Sequence, residues 1–306
     1  MNEIRKGYIA AFLYAIIIGL VFLFTKAGVM MAGPIQVMAY RFFISFAVIY
    51  ILKILKLIKL DLKNKNIKPL IVISLFFPSG FFFFQSFALK YAKTSEAGIV
   101  NALVPIIVLI LSVIFLKEKV NKKQIISLIL SVSGVFYIFF VGGNSISKES
   151  FIGIIYMFVG VISFSVFNIL VKKYSKNYTP MEITYVMLAV GFVLFMIISM
   201  IFDRVSLDKT IYLFSNMDFV ISILYMSVLS TLITAILNNY ALSKLDASKV
   251  GAFANLATIV TIASGAIFLE EQLYLYHYIG SFLIIIGVLG MNIFSTKKNL
   301  KQKEIV

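Results

Sequence analysis

Residues 88–119 read ALKYAKTSEAGIVNALVPIIVLILSVIFLKEK, and residues 241–272 read ALSKLDASKVGAFANLATIVTIASGAIFLEEQ. A shift of 153 residues lays one on the other without a gap, and the register runs on to 141 and 294. Ala88-Leu89 falls on Ala241-Leu242, and Ser95 and Gly98 fall on Ser248 and Gly251. Ile114-Phe115-Leu116 with Glu118 falls on Ile267-Phe268-Leu269 with Glu271, and Gly134-Val135 on Gly287-Val288. Upstream, a shift of 146 pairs Gly7 with Gly153, Lys26 with Lys172 and Pro34 with Pro180. Apolar residues align easily by chance, but glycine, serine, proline and glutamate in one register do not. The chain therefore reads as a duplication, with units 1–146 and 147–306.

The duplicated unit is a set of membrane spans. A spanning helix needs about 20 mostly apolar residues. Ten stretches meet that measure: 7–26, 35–56, 69–90, 95–116, 123–142, 150–171, 181–202, 218–242, 247–269 and 274–294. They are continuously apolar, without the two-residue alternation of a barrel wall. Gly33-Pro34, Gly142-Gly143-Asn144 and Thr179-Pro180 punctuate the breaks. The expected fold is an all-α integral membrane protein of ten transmembrane helices. Five helices per half is an odd number, so the second half enters the membrane from the opposite side. In such an inverted repeat the binding site lies at the repeat interface near the midplane. The stretch 203–217 reads as the longest loop.

Composition agrees. The chain is 61% hydrophobic with a mean hydropathy of +1.02, against about 45–50% apolar in a soluble domain. With no cysteine, disulfides, Cys-ligated zinc and thiol nucleophiles are excluded together. The single histidine, His277, has no second histidine to share a metal with. No cofactor is expected. The net charge of +15 comes from lysines between spans, which speaks for membrane topology rather than for nucleic acid. When the gaps are taken alternately, one set holds Arg5, Lys6 and the lysines within 53–68, 117–123, 172–176, 244–249 and 297–303. The other holds Lys26, Lys90, Lys93, Lys148, Arg204 and Lys209. The positive-inside rule places the first set, and both termini, in the cytoplasm of a cell-membrane protein. The expected partners are membrane lipid and a small-molecule substrate, and the expected state is a monomer or weak homodimer.

These residues also carry a family likeness. With Tyr40-Arg41-Phe42 in the second span, the repeated phrases read Phe115-Leu116-Lys117-Glu118 and Phe268-Leu269-Glu270-Glu271, followed by Gly134-Val135 and by Gly280 and Gly287-Val288. In these the chain resembles the drug/metabolite transporter superfamily, specifically the EamA-type ten-helix carriers, over nearly its whole length. The resemblance implies a secondary transporter. The chain departs from the family pattern at Ile18-Gly19, where relatives commonly carry Trp-Gly. It departs again at Lys117 and Glu270, which stand where a glycine usually precedes the repeated glutamate, and at Ser127, where a glycine usually opens the next helix.

Candidate site residues are the polar groups at membrane depth. Arg41 lies about two turns, roughly 10 Å, into the second span. A charge inside the bilayer is costly and by default functional. It is read either as a guanidinium that receives a substrate carboxylate, or as a tie between helix ends or a snorkelling side chain. Gln85 and Asn238 coincide under the shift of 153, Asn101 and Asn255 fall one residue out of register, and Asn168 lies in the sixth span. Deep amides face a wet cavity or serve as interhelical glue. Ser127, Ser131 and Gly134 share one helix face, as do Gly280 and Gly287, and these read as packing surfaces. Glu118 and Glu271 sit at span ends, where a carboxylate suits the N-terminus of the next helix.

The function expected is secondary transport of a small metabolite by alternating access, with amino-acid export as the first guess. The deep charge is positive, and Glu96 and Glu182 lie at span ends. A substrate carboxylate is therefore better matched than a lipophilic cation. The alternatives are export of another metabolite or drug, or a non-transport membrane protein such as an intramembrane enzyme or sensor. An enzyme would need a buried nucleophile with its base, a carboxylate pair or a metal cluster, and the spans show none.

Overall fold

The computed structural model describes residues 3–58, 60–62, 65–92, 94–101, 103–118, 120–142, 148–203, 207–253, 256–257, 259–261, 263 and 275–294. Helix occurs in every stretch that hydropathy marks, and no strand occurs among the described residues. The first half holds α1 (Glu3–Ala32), α2 (Pro34–Ile54), α3 (Lys68–Ser74) running through a π-helical segment (Leu75–Gly80) into α4 (Phe81–Tyr91), α5 (Thr94–Asn101), α6 (Val104–Leu116) and α7 (Lys122–Gly142). The second holds α8 (Lys148–Tyr174), α9 (Pro180–Phe202), α10 (Leu207–Ser215), α11 (Met217–Leu224) running through a π-helical segment (Tyr225–Ile233) into α12 (Thr234–Lys244), α13 (Ala247–Ala252) and α14 (Leu275–Ile293). Among the described residues six stretches are long and apolar enough to cross a membrane: Glu3–Ala32, Pro34–Ile54, Lys68–Tyr91, Phe151–Tyr174, Pro180–Phe202 and Met217–Lys244. Val104–Leu116 and Tyr278–Met291 are shorter apolar helices. Phe12, Phe43, Phe140 and Phe202 are at least half exposed, as side chains facing lipid are.

α1 and α8 touch both ends of the molecule, in the same way and in opposite directions. Gly7 of α1 lies against the end of α12, where a Cβ in its place would come 3.0 Å from the Lys244 Cβ. At the other end of α1, Lys26 Nζ donates to the Ala92 carbonyl just past α4, at 3.3 Å. In α8, Gly153 lies against Ala92, and Lys172 Nζ donates to the Leu242 carbonyl at 3.0 Å and to that of Leu245. From Gly7 to Lys26, as from Gly153 to Lys172, is about 28 Å of helix. Ala92 and Leu245 thus mark opposite ends of the bundle, and the residues that meet them are pairs under the shifts of 146 and 153.

The π segments correspond as well. Leu75–Gly80 shifted by 153 falls within Tyr225–Ile233. In the first, Pro78 has no N–H to give and pushes the residue before it out of helical geometry, so Phe77 is extended at φ −145°, ψ 132°. A carbonyl there is taken up from across the bundle: Ser163 Oγ of α8 donates to Phe76 at 2.8 Å. On the other side, Tyr225 of the second π segment donates its hydroxyl to the Ile17 carbonyl of α1 at 2.7 Å. Ile17 and Ser163 are again a pair under the shift of 146.

The small-residue faces pack as expected. α7 and α14 lie so close that a Cβ on Gly287 would fall 2.5 Å from the Ser131 Cβ. The stretch after α9 departs from the expected loop. It carries α10, whose Leu213 is buried while Ile211 and Tyr212 are exposed. α10 lies across the end of α2: Thr210 and Tyr40 share a hydrogen bond of 2.7 Å between their hydroxyls, and Phe214 meets the Tyr40 ring edge-on at 5.2 Å.

Candidate functional site

Arg41 is fully buried, and the second π segment holds it there. Its Nε donates to Thr231 Oγ1 at 2.5 Å, and its Nη2 donates to Ser230 Oγ at 2.9 Å. Thr231 Oγ1 gives its own proton to the Met226 carbonyl at 2.7 Å, five residues back, which leaves its lone pairs for the guanidinium. The guanidinium carbon lies 3.6 Å from the centroid of the Phe82 ring, a cation–π contact strengthened by the dry surroundings. α2 is fastened to the same segment one turn on, where Ser45 Oγ bonds to the Arg41 carbonyl at 2.6 Å and the Ser227 carbonyl at 2.7 Å. Among the described residues no carboxylate pairs with Arg41. Its Nη1 is buried without a hydrogen-bond partner. Arg41 therefore does not snorkel. It spans α2, α4 and the π segment, with one donor arm unused.

The amides are buried at comparable depth. Gln85 and Asn238 are buried, so neither faces lipid. Each precedes its helix end, Ala92 or Leu245, by seven residues, about 10 Å. Since those ends are about 28 Å apart, the two amides lie within roughly 4 Å of mid-depth, on opposite sides of it. Gln85 Oε1 and Asn238 Oδ1 have no partner among the described residues. Gln85 is one turn beyond Phe82, on the helix face that receives Arg41. Asn168 donates to the Phe164 carbonyl at 2.8 Å and accepts a long bond, 3.5 Å, from Asn238 Nδ2. Asn101 is buried at the last residue of α5. Asn255 lies outside the described residues.

Several polar groups escaped sequence reasoning. The hydroxyls of Ser227, Ser230, Thr231 and Thr234 recur at helical spacing inside an apolar span, and that spacing was the available signal. Asn239, fully buried, donates to Thr184 Oγ1 at 2.9 Å and keeps an unpartnered Oδ1. Its counterpart under the shift of 153 is Ser86, which donates to Met38 Sδ at 3.5 Å, and Met38 shifted by 146 is Thr184. The two halves thus repeat this contact with different chemistry.

Glu118 caps a helix, but not the next one. Lys117 ends α6 in the left-handed region at φ 53°, and the turn aims Glu118 across the bundle. Its carboxylate accepts from Ala247 N at 2.9 Å, Ser248 N at 3.4 Å and Ser248 Oγ at 2.9 Å. These are the free donors at the start of α13, where the N-cap residue Asp246 makes no side-chain cap of its own.

Comparison with known proteins decides the family. The model of the EamA-like transporter family matches residues 5–140 and again residues 151–293. This chain belongs to the EamA-like transporter family. Within it, the chain is 37% identical to the Bacillus subtilis (strain 168) protein named "Uncharacterized transporter YcxC", over 97% of this chain and 96% of that one. It is 27% identical to an "Uncharacterized transporter" of Archaeoglobus fulgidus, over 88% of this chain and 92% of that one. A solved crystal structure superposes with a TM-score of 0.76 at 15% identity, over 96% of this chain and 97% of that one, a likeness of fold alone. As an EamA-like protein the chain is a multi-pass membrane transporter of small molecules. Each EamA match contains a lysine that bonds to backbone carbonyls, a π segment and buried amides.

Proposed function

We propose that this EamA-like protein is a secondary carrier that exports amino acids across the cell membrane by alternating access. The observation that carries the substrate class is Arg41: a buried cation, unpaired with any acid among the described residues, with Nη1 free. A substrate carboxylate supplies what that arm lacks. The unpartnered carbonyl oxygens of Gln85 and Asn238 suit the ammonium group. Asn168, hydrogen-bonded to Asn238, orients it, and Asn101 and Asn255 complete the proposed set. In this reading the units are 1–146 and 147–306, each of five spans and inverted with respect to the other. Support comes from the double family match and from Gly7, Lys26, Gly153 and Lys172 meeting the two helix ends in opposite order. The lysine-rich gaps and both termini are cytoplasmic.

Purified protein in liposomes is expected to exchange labelled amino acids. Arg41→Ala is expected to lower the rate at limiting substrate by about tenfold or more, the weight of a hydrogen bond to a charged group. Transport of quaternary ammonium dyes, with no response to any amino acid, would overturn the substrate reading.

A further inference from the structure

Gly28 of α1 lies where α1, α2 and the second π segment meet. A Cβ there would come 3.5 Å from the Val37 Cγ2 and 2.9 Å from the Met226 Cε. One turn deeper on the same three faces stand Thr25, Arg41 and Ser230, and Arg41 and Ser230 are in contact. α1 is fastened to the segment at this level, since the Phe24 and Tyr225 rings stack at 4.1 Å and Tyr225 reaches the Ile17 carbonyl.

Thr25 is fully buried, and its hydroxyl has no partner among the described residues. A buried helical hydroxyl ordinarily donates to the carbonyl four residues back. Ser45, Ser74, Ser165, Thr184, Ser227 and Thr234 all do so here. Thr25 departs from that habit, as Ser79 and Ser199 do, and it does so in the layer that holds another unpaired donor, Arg41 Nη1. A buried hydroxyl and a buried guanidinium N–H left open are both costly on their own, and one two-oxygen anion satisfies both.

We propose that Thr25 Oγ1 and Arg41 Nη1 are the two open arms of one carboxylate-binding subsite, with Thr25 the residue that selects a carboxylate over a neutral group. This rests on the carrier reading above. Arg41 binds one carboxylate oxygen and Thr25 the other. Ser230 and Thr231 hold the guanidinium by its remaining edge, and Phe82 closes its face.

The test uses liposomes containing wild-type protein, Thr25→Val or Thr25→Ser. The probes are labelled amino acids and short-chain monocarboxylates, with amino alcohols as unlabelled competitors. Valine matches threonine in shape and removes only the hydroxyl. Thr25→Val is expected to raise KM for carboxylate substrates about tenfold, to leave the amino-alcohol inhibition constants unchanged, and to be rescued by Thr25→Ser. An unchanged KM, or equal losses for acids and alcohols, overturns the subsite. If the wild type moves monocarboxylates but no amino acid, the amino-acid reading falls and the KM of Thr25→Val for monocarboxylates decides the subsite. If it moves no carboxylate-bearing compound, both fall.

Discussion

Lys26 donates its ammonium to the backbone carbonyl of Ala92, 66 residues away and at 3.3 Å, and so closes the C-terminal end of α4. The last carbonyls of a helix have no partner of their own, and a cation there is doubly suited, by hydrogen bonding and by the helix dipole. Lys172 does the same for α12 through the carbonyls of Leu242 and Leu245.

Replacing either lysine by methionine keeps the stem and removes the donor. Lys26→Met is expected to cost roughly 1–2 kcal/mol and Lys172→Met more, because it loses two acceptors rather than one. Thermal unfolding in detergent, followed by loss of monodisperse protein, checks the order. Equal melting temperatures for both variants and wild type would show that the contacts contribute nothing.

Lys117 provides a test in the stabilising direction. A left-handed conformation costs a non-glycine residue about 1–2 kcal/mol, part of which glycine returns as unfolded-chain entropy. Lys117→Gly is expected to raise stability by up to about 1 kcal/mol, with transport unaltered. A lower melting temperature would mean that the lysine side chain itself contributes more than the backbone strain costs.

The absence of cysteine makes the chain a ready background for mapping sidedness. Lys6 stands beside Gly7 at the Leu245 end, whereas Asp208 of α10 follows α9, which leads away from that end. Single cysteines at Lys6 and Asp208 are expected to react with a membrane-impermeant maleimide from opposite sides, Asp208→Cys from outside the cell. Labelling of both from one side would contradict the inverted arrangement.

Much of this was legible in the sequence because it depends on residue identity at fixed spacing. Lys26 and Lys172, Gly7 and Gly153, and Gln85 and Asn238 all announced themselves as pairs, and each pair occupies related places. Arg41 was legible as a charge inside an apolar run. The second π segment was not, since a change from four- to five-residue hydrogen bonding leaves hydropathy untouched, whereas the kink at Phe77 had Pro78 as its signal. Nor was α10, a nine-residue helix too short and too mixed to stand out from a loop. Thr25 and Asn239 looked like any single polar residue in a span, because what sets them apart is which partners they lack. Glu118 was read as a local cap, whereas its acceptors are filled by donors 129 and 130 residues away. A side chain's reach across a bundle is decided by the turn before it, here by Lys117.

That reach has a bearing on how the protein is made. A ribosome adds about 5–20 residues per second, so Glu118 is made roughly 6–26 seconds before Ser248 exists to meet it. Gly7 waits longer still for Leu245. Throughout that interval the Glu118 carboxylate lacks the donors it caps in the finished bundle. Neither EamA-like stretch is finished on its own, because the contacts that join them form only once residues 245–248 have been made.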